Sequence, residues 1–350
     1  GAAARQAAPQ MGARLPVAAR GGGAVAVKKE SEGLPDALKL LIGAGGIYAA
    51  FMYYGLLMED VFAYRDGAGV AFNQVWFLQI LEALANVIVG GIGLKVMGGT
   101  EGMSKKLFAL TGASQVSAKA FTTMALAKGV SFPVLMLAKS AKMVPVMIGS
   151  ILLGGASYSL REYLQVAAII GGTCMVSMSK KKASAGGGSV LGLICIMASL
   201  TCDGLTGGIQ KRLKKDASER GLKPKPYDFM FWTNLFMLAT SALVAAVNGQ
   251  LISGVQFCGA NPAIFDKIIR FALCSAFGQS FIFYTIANFD PLVCTTVTTT
   301  RKIFSVLLSI VLKGHKLNQQ GWAGVAVASS GILGELEDKY TKSQKKAKKE

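Results

Sequence analysis

The sequence predicts an all-α integral membrane protein of ten transmembrane helices in two halves of five. Three observations carry that prediction. Of the 350 residues 52% are apolar and only 16% charged, against about 25% charged in a soluble domain. The apolar residues fall in runs near the length of about 20 that a helix needs to cross a bilayer. One long polar connection, 210–228, lies among those runs, with six before it and four after it. The net charge of +18 would suit a nucleic-acid binder if it lay on an exposed face of a soluble fold. Here it lies between and beyond apolar runs, so the expected surroundings are a lipid bilayer and nucleic acid is not an expected partner. Low hydrophobicity is the mark of a disordered chain, and this chain lacks it.

Residues 1–33 are rich in Ala, Gly and Arg with no acid before Glu30. They read as a disordered extension, or as an Arg-rich organelle leader. The apolar runs, bounded by charge, proline or glycine clusters, are 37–58, 73–94, 107–128, 133–153 and 162–178, then 189–209, 229–248, 268–288, 291–312 and 321–336. The domain division that follows is 34–209 for the first half, 210–228 for the basic connection, 229–338 for the second half and 339–350 for a lysine-rich tail. Spans four and nine correspond between halves. Each begins with a proline, Pro133 or Pro291, and each carries cations inside an apolar run. Lys and Arg concentrate in cytosolic connections. The tail and the central connection, with Lys211, Arg212, Lys214 and Lys215, therefore place both termini in the cytosol, against the contrary vote of Lys180, Lys181 and Lys182.

Catalytic chemistry finds little support. There is one histidine, His315, and no CxxC among the six cysteines. A zinc site or a His-based triad is therefore not expected, nor is any metal or cofactor. Five cysteines sit inside apolar runs, and Cys258 alone falls in a stretch that reads as a polar loop.

The informative residues are the cations where charge is expensive. A Lys or Arg at mid-span costs roughly 2.5–3.5 kcal/mol on insertion scales, and such residues usually face a cavity on a substrate route. Span four places Lys139 and Lys142 three residues apart, on one helix face, with Pro145 following to permit a bend. Span nine places Arg301 and Lys302 behind a run of hydroxyls that includes Thr299 and Thr300. Of the adjacent pair, Lys302 has the more central depth. Glu82 is a counter-ion or gating partner for these cations, and Asp203 and Asp290 near the span ends compete for them. Four deep cations against one deep carboxylate leave surplus positive charge, which calls for an anionic ligand of the phosphate or diphosphate type. Gln279 and Tyr284, with Phe281 and Phe283, are candidates to meet a base or sugar, or else pack within the bundle. Lys119 in span three lines the same cavity or lies at a misplaced boundary. Gly43, Gly45, Gly46, Gly90, Gly91 and Gly93 are expected to allow close helix approach.

Several of these motifs together resemble the nucleotide-sugar transporters of the drug/metabolite transporter superfamily. They are Lys139-Ser-Ala-Lys142-Met-Val-Pro145, Asp203-Gly-Leu-Thr-Gly207, Gly278-Gln-Ser-Phe-Ile-Phe283 and Thr298-Thr-Thr-Arg-Lys-Ile-Phe304. The resemblance runs from about residue 37 to 340 and is nearest to the endoplasmic-reticulum branch of solute carrier family 35, subfamily B. It implies two inverted five-helix repeats, alternating access, and exchange of UDP-galactose or UDP-glucose for UMP. A nucleotide sugar and a nucleoside monophosphate are thus the expected small-molecule partners. Because one member of the branch is assigned ATP/ADP exchange, that cargo is the alternative. The family's phosphate-binding lysines match Lys142 and Lys302. The chain departs from the family at Thr122-Thr123-Met124, where relatives often have Ser-Asn, and at Leu135, where a polar residue is common. Lys346 and Lys348, fifth and third from the end, resemble a dibasic retrieval signal, which implies a coat-protein contact and residence in the endoplasmic-reticulum membrane, with the Golgi as the alternative.

Overall fold

A computed structural model describes residues 35–142, 144–145, 147, 158–183, 190–289 and 291–347. Among them no strand occurs, only an isolated bridge between Arg65 and Ala71. The helices are α1 (Asp36–Ala63), α2 (Val75–Met97), α3 (Lys105–Ala127), α4 (Phe132–Ala138) with a 3-10 turn at Lys139–Lys142, α5 (Leu160–Ala183), α6 (Val190–Glu219), α7 (Pro226–Val247), α8 (Gln250–Ala260), α9 (Pro262–Asn288), α10 (Pro291–Leu312) and α11 (Gln319–Ala347). Six of these, α1, α2, α6, α7, α9 and α10, are long and apolar enough to cross a membrane, and a shorter apolar helix covers Phe132–Ala141. α3, α5 and α11 are more polar along their length. Residues 1–33, Asp290 and Lys348 lie outside the described residues, as do the side chains of Lys142 and Lys346.

The structure departs from the expected boundaries where charge finds a partner. α1 runs on past residue 58 because Glu59 and Asp60 are neutralised there. Ser309 donates to Glu59 at 2.7 Å, His315 meets the same carboxylate at 2.5 Å, and Lys313 and Lys267 meet Asp60. α6 runs to Glu219, well into the expected basic connection. Its exposed end is a helix of good formers with i,i+4 pairs, Lys215–Glu219 at 3.7 Å and Asp216–Arg220 at 3.0 Å, a pattern that supports a solvated helix. Gly221, at φ +68°, then turns the chain out. α8 was not expected, and it corrects the reading of Cys258, which is buried in that helix rather than placed in a polar loop.

Span four breaks where its sequence says it should. Pro145 removes the N–H that would bond the carbonyl of Ala141, and its ring crowds that carbonyl. Ala141 accordingly leaves helical geometry (φ −77°, ψ 20°), and α4 tightens into a 3-10 turn at Lys139.

The helices pack in pairs: α1 against α9, α2 against α7, α3 against α6, α4 against α10 and α5 against α11, with α7 also on α3 and α9 also on α2. One apolar core lies among α1, α2, α3, α8 and α9, around Leu78, Phe72 and Phe271; a second joins α4, α5, α10 and α11 through Leu137, Ile169, Val306 and Ala328. The connections fix which ends lie together. Between α2 and α3, Thr100 gives its N–H to Asp228 (3.0 Å) and its hydroxyl to the Lys223 carbonyl (3.2 Å), while Lys225 reaches the Met97 carbonyl (2.7 Å). The α2–α3 and α6–α7 connections therefore close one end of the bundle. The α1–α2 connection lies at the other, where Tyr64 bonds Asn261 (3.0 Å) and Gln250 accepts the Trp76 N–H (2.9 Å).

α5 and α11 meet almost backbone to backbone. A Cβ on Gly172 would sit 2.5 Å from the Ala328 nitrogen and the Gly324 oxygen, whereas one on Gly171 would meet nothing within 4 Å. Small residues at such crossings let helices approach closely in lipid. Gly172→Val is expected to destabilise the protein by about 1–3 kcal/mol, the usual range for overpacking, and Gly171→Val to leave it unchanged. Thermal unfolding of the two purified variants in detergent checks the contrast.

Candidate functional site

The helix pairs enclose a cavity of about 580 Å³, within the range of small-molecule pockets. Its lining runs from Lys214, Pro224, Pro226 and Phe229, at the end of the bundle that carries the α6–α7 connection, to Met58, Glu82, Lys119 and Phe132. At the opposite end the pairs of Glu59 with His315 and of Asp60 with Lys313 and Lys267 tie α1 to α9 and α10.

Three cations border the cavity, Lys119, Lys214 and Arg301, against one carboxylate, Glu82. Glu82 is the best-anchored of them, with its side chain 1% exposed. Its Oε1 accepts from Lys119 Nζ (2.6 Å), Ser275 Oγ (2.7 Å) and Tyr54 Oη (3.2 Å). Asn86 braces the same junction, donating to the Glu82 carbonyl at 2.8 Å and to Ser275 at 3.2 Å. One carboxylate oxygen thus joins α1, α2, α3 and α9.

Arg301 is held differently. Its guanidinium lies 4.8 Å from the centre of the Phe51 ring, a cation–π contact. No carboxylate pairs with it among the described residues, and its Nε is buried without a hydrogen-bond partner. With Nε unpartnered, the guanidinium has a donor to offer an oxyanion.

The remaining wall is aromatic and amide. Tyr54 stacks on Phe271 at 4.2 Å between centroids, and Phe229 and Phe283 line the space. Gln279 lies on the wall and accepts from Asn234 Nδ2 at 3.4 Å; Gln115 and Thr233 complete the polar lining.

The structure brings together Glu82, Gln279, Phe283 and Arg301 from the expected set, and of the two readings of Lys119 it places that residue on the cavity wall. It does not bring the others to the wall. Lys302 is half-buried beside the cavity without bordering it, so the adjacent pair presents Arg301, not Lys302, to this space. Tyr284 packs next to Gly43 of α1. Thr300 accepts a hydrogen bond from Tyr48 at 2.7 Å, and Thr299 is half-buried away from the lining. Lys139 is occupied: its ammonium meets Asp203 (2.7 Å), Thr122 (2.9 Å) and Ser199 (3.0 Å). An ammonium has three donors, so none is left for a phosphate in this conformation. Of the expected glycine contacts, Gly46 lies against Phe281, while Gly45 faces open space.

Tyr54, Asn86, Gln115, Asn234 and Ser275 were missed. The amides had a readable signal, since a polar group inside an apolar run usually faces a partner or a cavity. Tyr54 had none, because its neighbours in the run are aromatic too.

Membrane-length helices around a cavity with surplus positive charge and aromatic walls are the construction of a multi-pass carrier for an organic anion. The comparisons agree. The model of the UAA transporter family matches residues 39–339, and the chain belongs to that family of membrane transporters. It is 31% identical to a protein of Arabidopsis thaliana named UDP-galactose/UDP-glucose transporter 3, over 92% of this chain and 99% of that one. It is 30% identical to solute carrier family 35 member B1 of Mus musculus, over 89% and 97%, and 29% identical to the Gallus gallus protein of the same name, over 89% and 96%.

The contrast between Lys139 and Arg301 is measurable. Lys139→Met leaves the Asp203 carboxylate without its cation and is expected to lower the thermal midpoint by several degrees, since loss of a partly buried charge partner costs about 1–3 kcal/mol. Arg301→Gln is expected to keep the midpoint and lose most nucleotide binding. Thermal shift with and without nucleotide reads both.

Proposed function

We propose that the protein exchanges UDP-galactose or UDP-glucose for UMP across the endoplasmic-reticulum membrane by alternating access. The observation that carries this reading is the Arg301 guanidinium, set against an aromatic ring with no carboxylate partner among the described residues, on the wall of a cavity of nucleotide size. A diphosphate bridges such a cation to Lys119, and the base and sugar take the aromatic and amide walls, with Gln279 at a base or sugar edge. Lys142 and Lys302, which match the family's phosphate-binding lysines, are assigned to the same anion at another stage of the cycle, with Lys139 released from Asp203 for that stage. The names of the relatives support a uridine cargo.

Packing supports the proposed ten spans in two inverted repeats. When each helix of the first half, α1 to α5, is matched with α6, α7, α9, α10 and α11 in turn, the pair α1–α9 maps onto α6–α3, α3–α7 maps onto α9–α2, and α2–α7, α4–α10 and α5–α11 map onto themselves. That is the pattern of a twofold exchange of halves. By this matching the second half begins with α6, so the halves divide before Val190 and not at the 210–228 connection. By the distribution of Lys and Arg, the end with the α6–α7 connection and both termini face the cytosol. The cavity lining then reaches toward the cytosolic end, and the contacts of Glu59 and Asp60 tie the helices at the lumenal end.

Counterflow tests the reading. Proteoliposomes loaded with UMP are expected to accumulate labelled UDP-galactose or UDP-glucose, and Arg301→Ala, Lys302→Ala and Lys142→Ala to abolish accumulation; full uptake in all three variants overturns the phosphate assignment. Unlabelled ATP competing better than unlabelled UDP-galactose would transfer the assignment to adenine nucleotides.

A further inference from the structure

The Lys119–Glu82 pair is built unlike the other ion pairs of the bundle. Lys139 is saturated by three partners. Lys119 has Glu82 as its only hydrogen-bond partner among the described residues, at 2.6 Å, with its side chain 24% exposed on the cavity wall. Two of its three donors remain for other acceptors. Glu82 is the fixed member, held by Ser275 and Tyr54 through Oε1. Its other oxygen, Oε2, is buried with no partner.

A flexible ammonium that leans from the cavity onto a rigid carboxylate has a place to wait. A phosphate entering the cavity offers a stronger, doubly charged acceptor, and the lysine can turn to it without repacking, because the ligands that hold Glu82 lie on α1 and α9 and not on α3. The groups facing Glu82 are Lys119 from α3, Tyr54 from α1, and Ser275 from α9; Arg301 of α10 and Asn234 of α7 border the same cavity.

We propose that Glu82 is a resident counter-anion: it holds Lys119 in the empty cavity, yields it to the cargo's phosphates, and by its fixed negative charge limits how much negative charge a cargo can bring. The carboxylate stays behind when the phosphate arrives, so each additional cargo charge meets its repulsion. Glu82 thereby selects for nucleotides of low charge, such as monophosphates and diphosphate-linked sugars, over triphosphates. This rests on the reading of the cavity as the route of a nucleotide anion, and not on which sugar it carries.

The test is equilibrium binding of UMP, UDP and UTP to the purified full-length chain, which keeps the base constant and needs no transport. E82Q is expected to raise the UTP-to-UMP affinity ratio about tenfold, the effect of one charge–charge interaction across a cavity of this size. K119M is expected to lower the ratio by a similar factor, and the double variant E82Q/K119M to return it to about the wild-type value. A ratio unmoved in both single variants overturns the proposal, as does an E82Q shift that persists in the double variant. If E82Q fails to accumulate in membranes, K119M gives the same test with opposite sign. Failure of UDP-sugar counterflow with the expected ratios intact would reject the cargo and keep the counter-anion.

Discussion

A charge carried into the hydrocarbon layer has to meet an opposite charge or face a route, because the alternative costs several kcal/mol per group. The arrangement of this bundle follows from how that requirement is met at each deep cation. Lys139 is met completely, and the contact fastens the broken end of α4 to α3 through Thr122 and to α6 through Ser199 and Asp203. Lys119 is met by one carboxylate that four helices share. Arg301 is met by an aromatic face and, among the described residues, by no carboxylate. On the proposed reading those three arrangements separate a cation that holds the fold from cations that face a cargo.

The same constraint explains why the helices run where they do. Glu59 and Asp60 extend α1 beyond its apolar run because Ser309, His315, Lys313 and Lys267 wait for them at the ends of α9 and α10. The basic end of α6 is helical because its charges are solvated and spaced to pair along the helix. Pro145 works in the other direction: by denying Ala141 its backbone bond it stops α4 short and delivers Lys139 to its partners.

Much of this was legible in the sequence. Composition and run length announced a helical membrane protein, and Pro145 announced the break. Of the four cations read as deep, Arg301 borders the cavity, as does Glu82. What was not legible was which of two adjacent cations faces the space. Arg301 and Lys302 differ by about 100° around the helix, and central depth favoured Lys302, whereas the rotation of α10 is decided by contacts from α1, where Phe51 receives the guanidinium and Tyr48 bonds Thr300. Asp203 was among the partners the sequence offered, but which of the cations it takes was not legible, because that is decided by the packing of α6 on the 3-10 turn. Helix boundaries moved for a related reason: the apolar run ends where the bilayer does, and a helix ends where its last charges are satisfied.

The cavity's two walls extend the argument. Glu82 and Lys119 bridge α2 and α3; Asn234 and Gln279 bridge α7 and α9, the helices that occupy the matching places in the other half. Both pairs border the cavity, one ionic and one neutral. A cargo with a charged end and a hydrogen-bonding end has only one favourable orientation between them, since a base edge gains nothing beside an ion pair and a phosphate gains little beside two amides. If the halves exchange roles during transport, the ionic pair stays on α2 and α3, and the cargo is presented to the far side in an orientation set by that asymmetry. On the proposed exchange of halves, the matched helix pairs are what moves, and the unlike side-chain pairs, Glu82 with Lys119 and Asn234 with Gln279, are what orients the cargo.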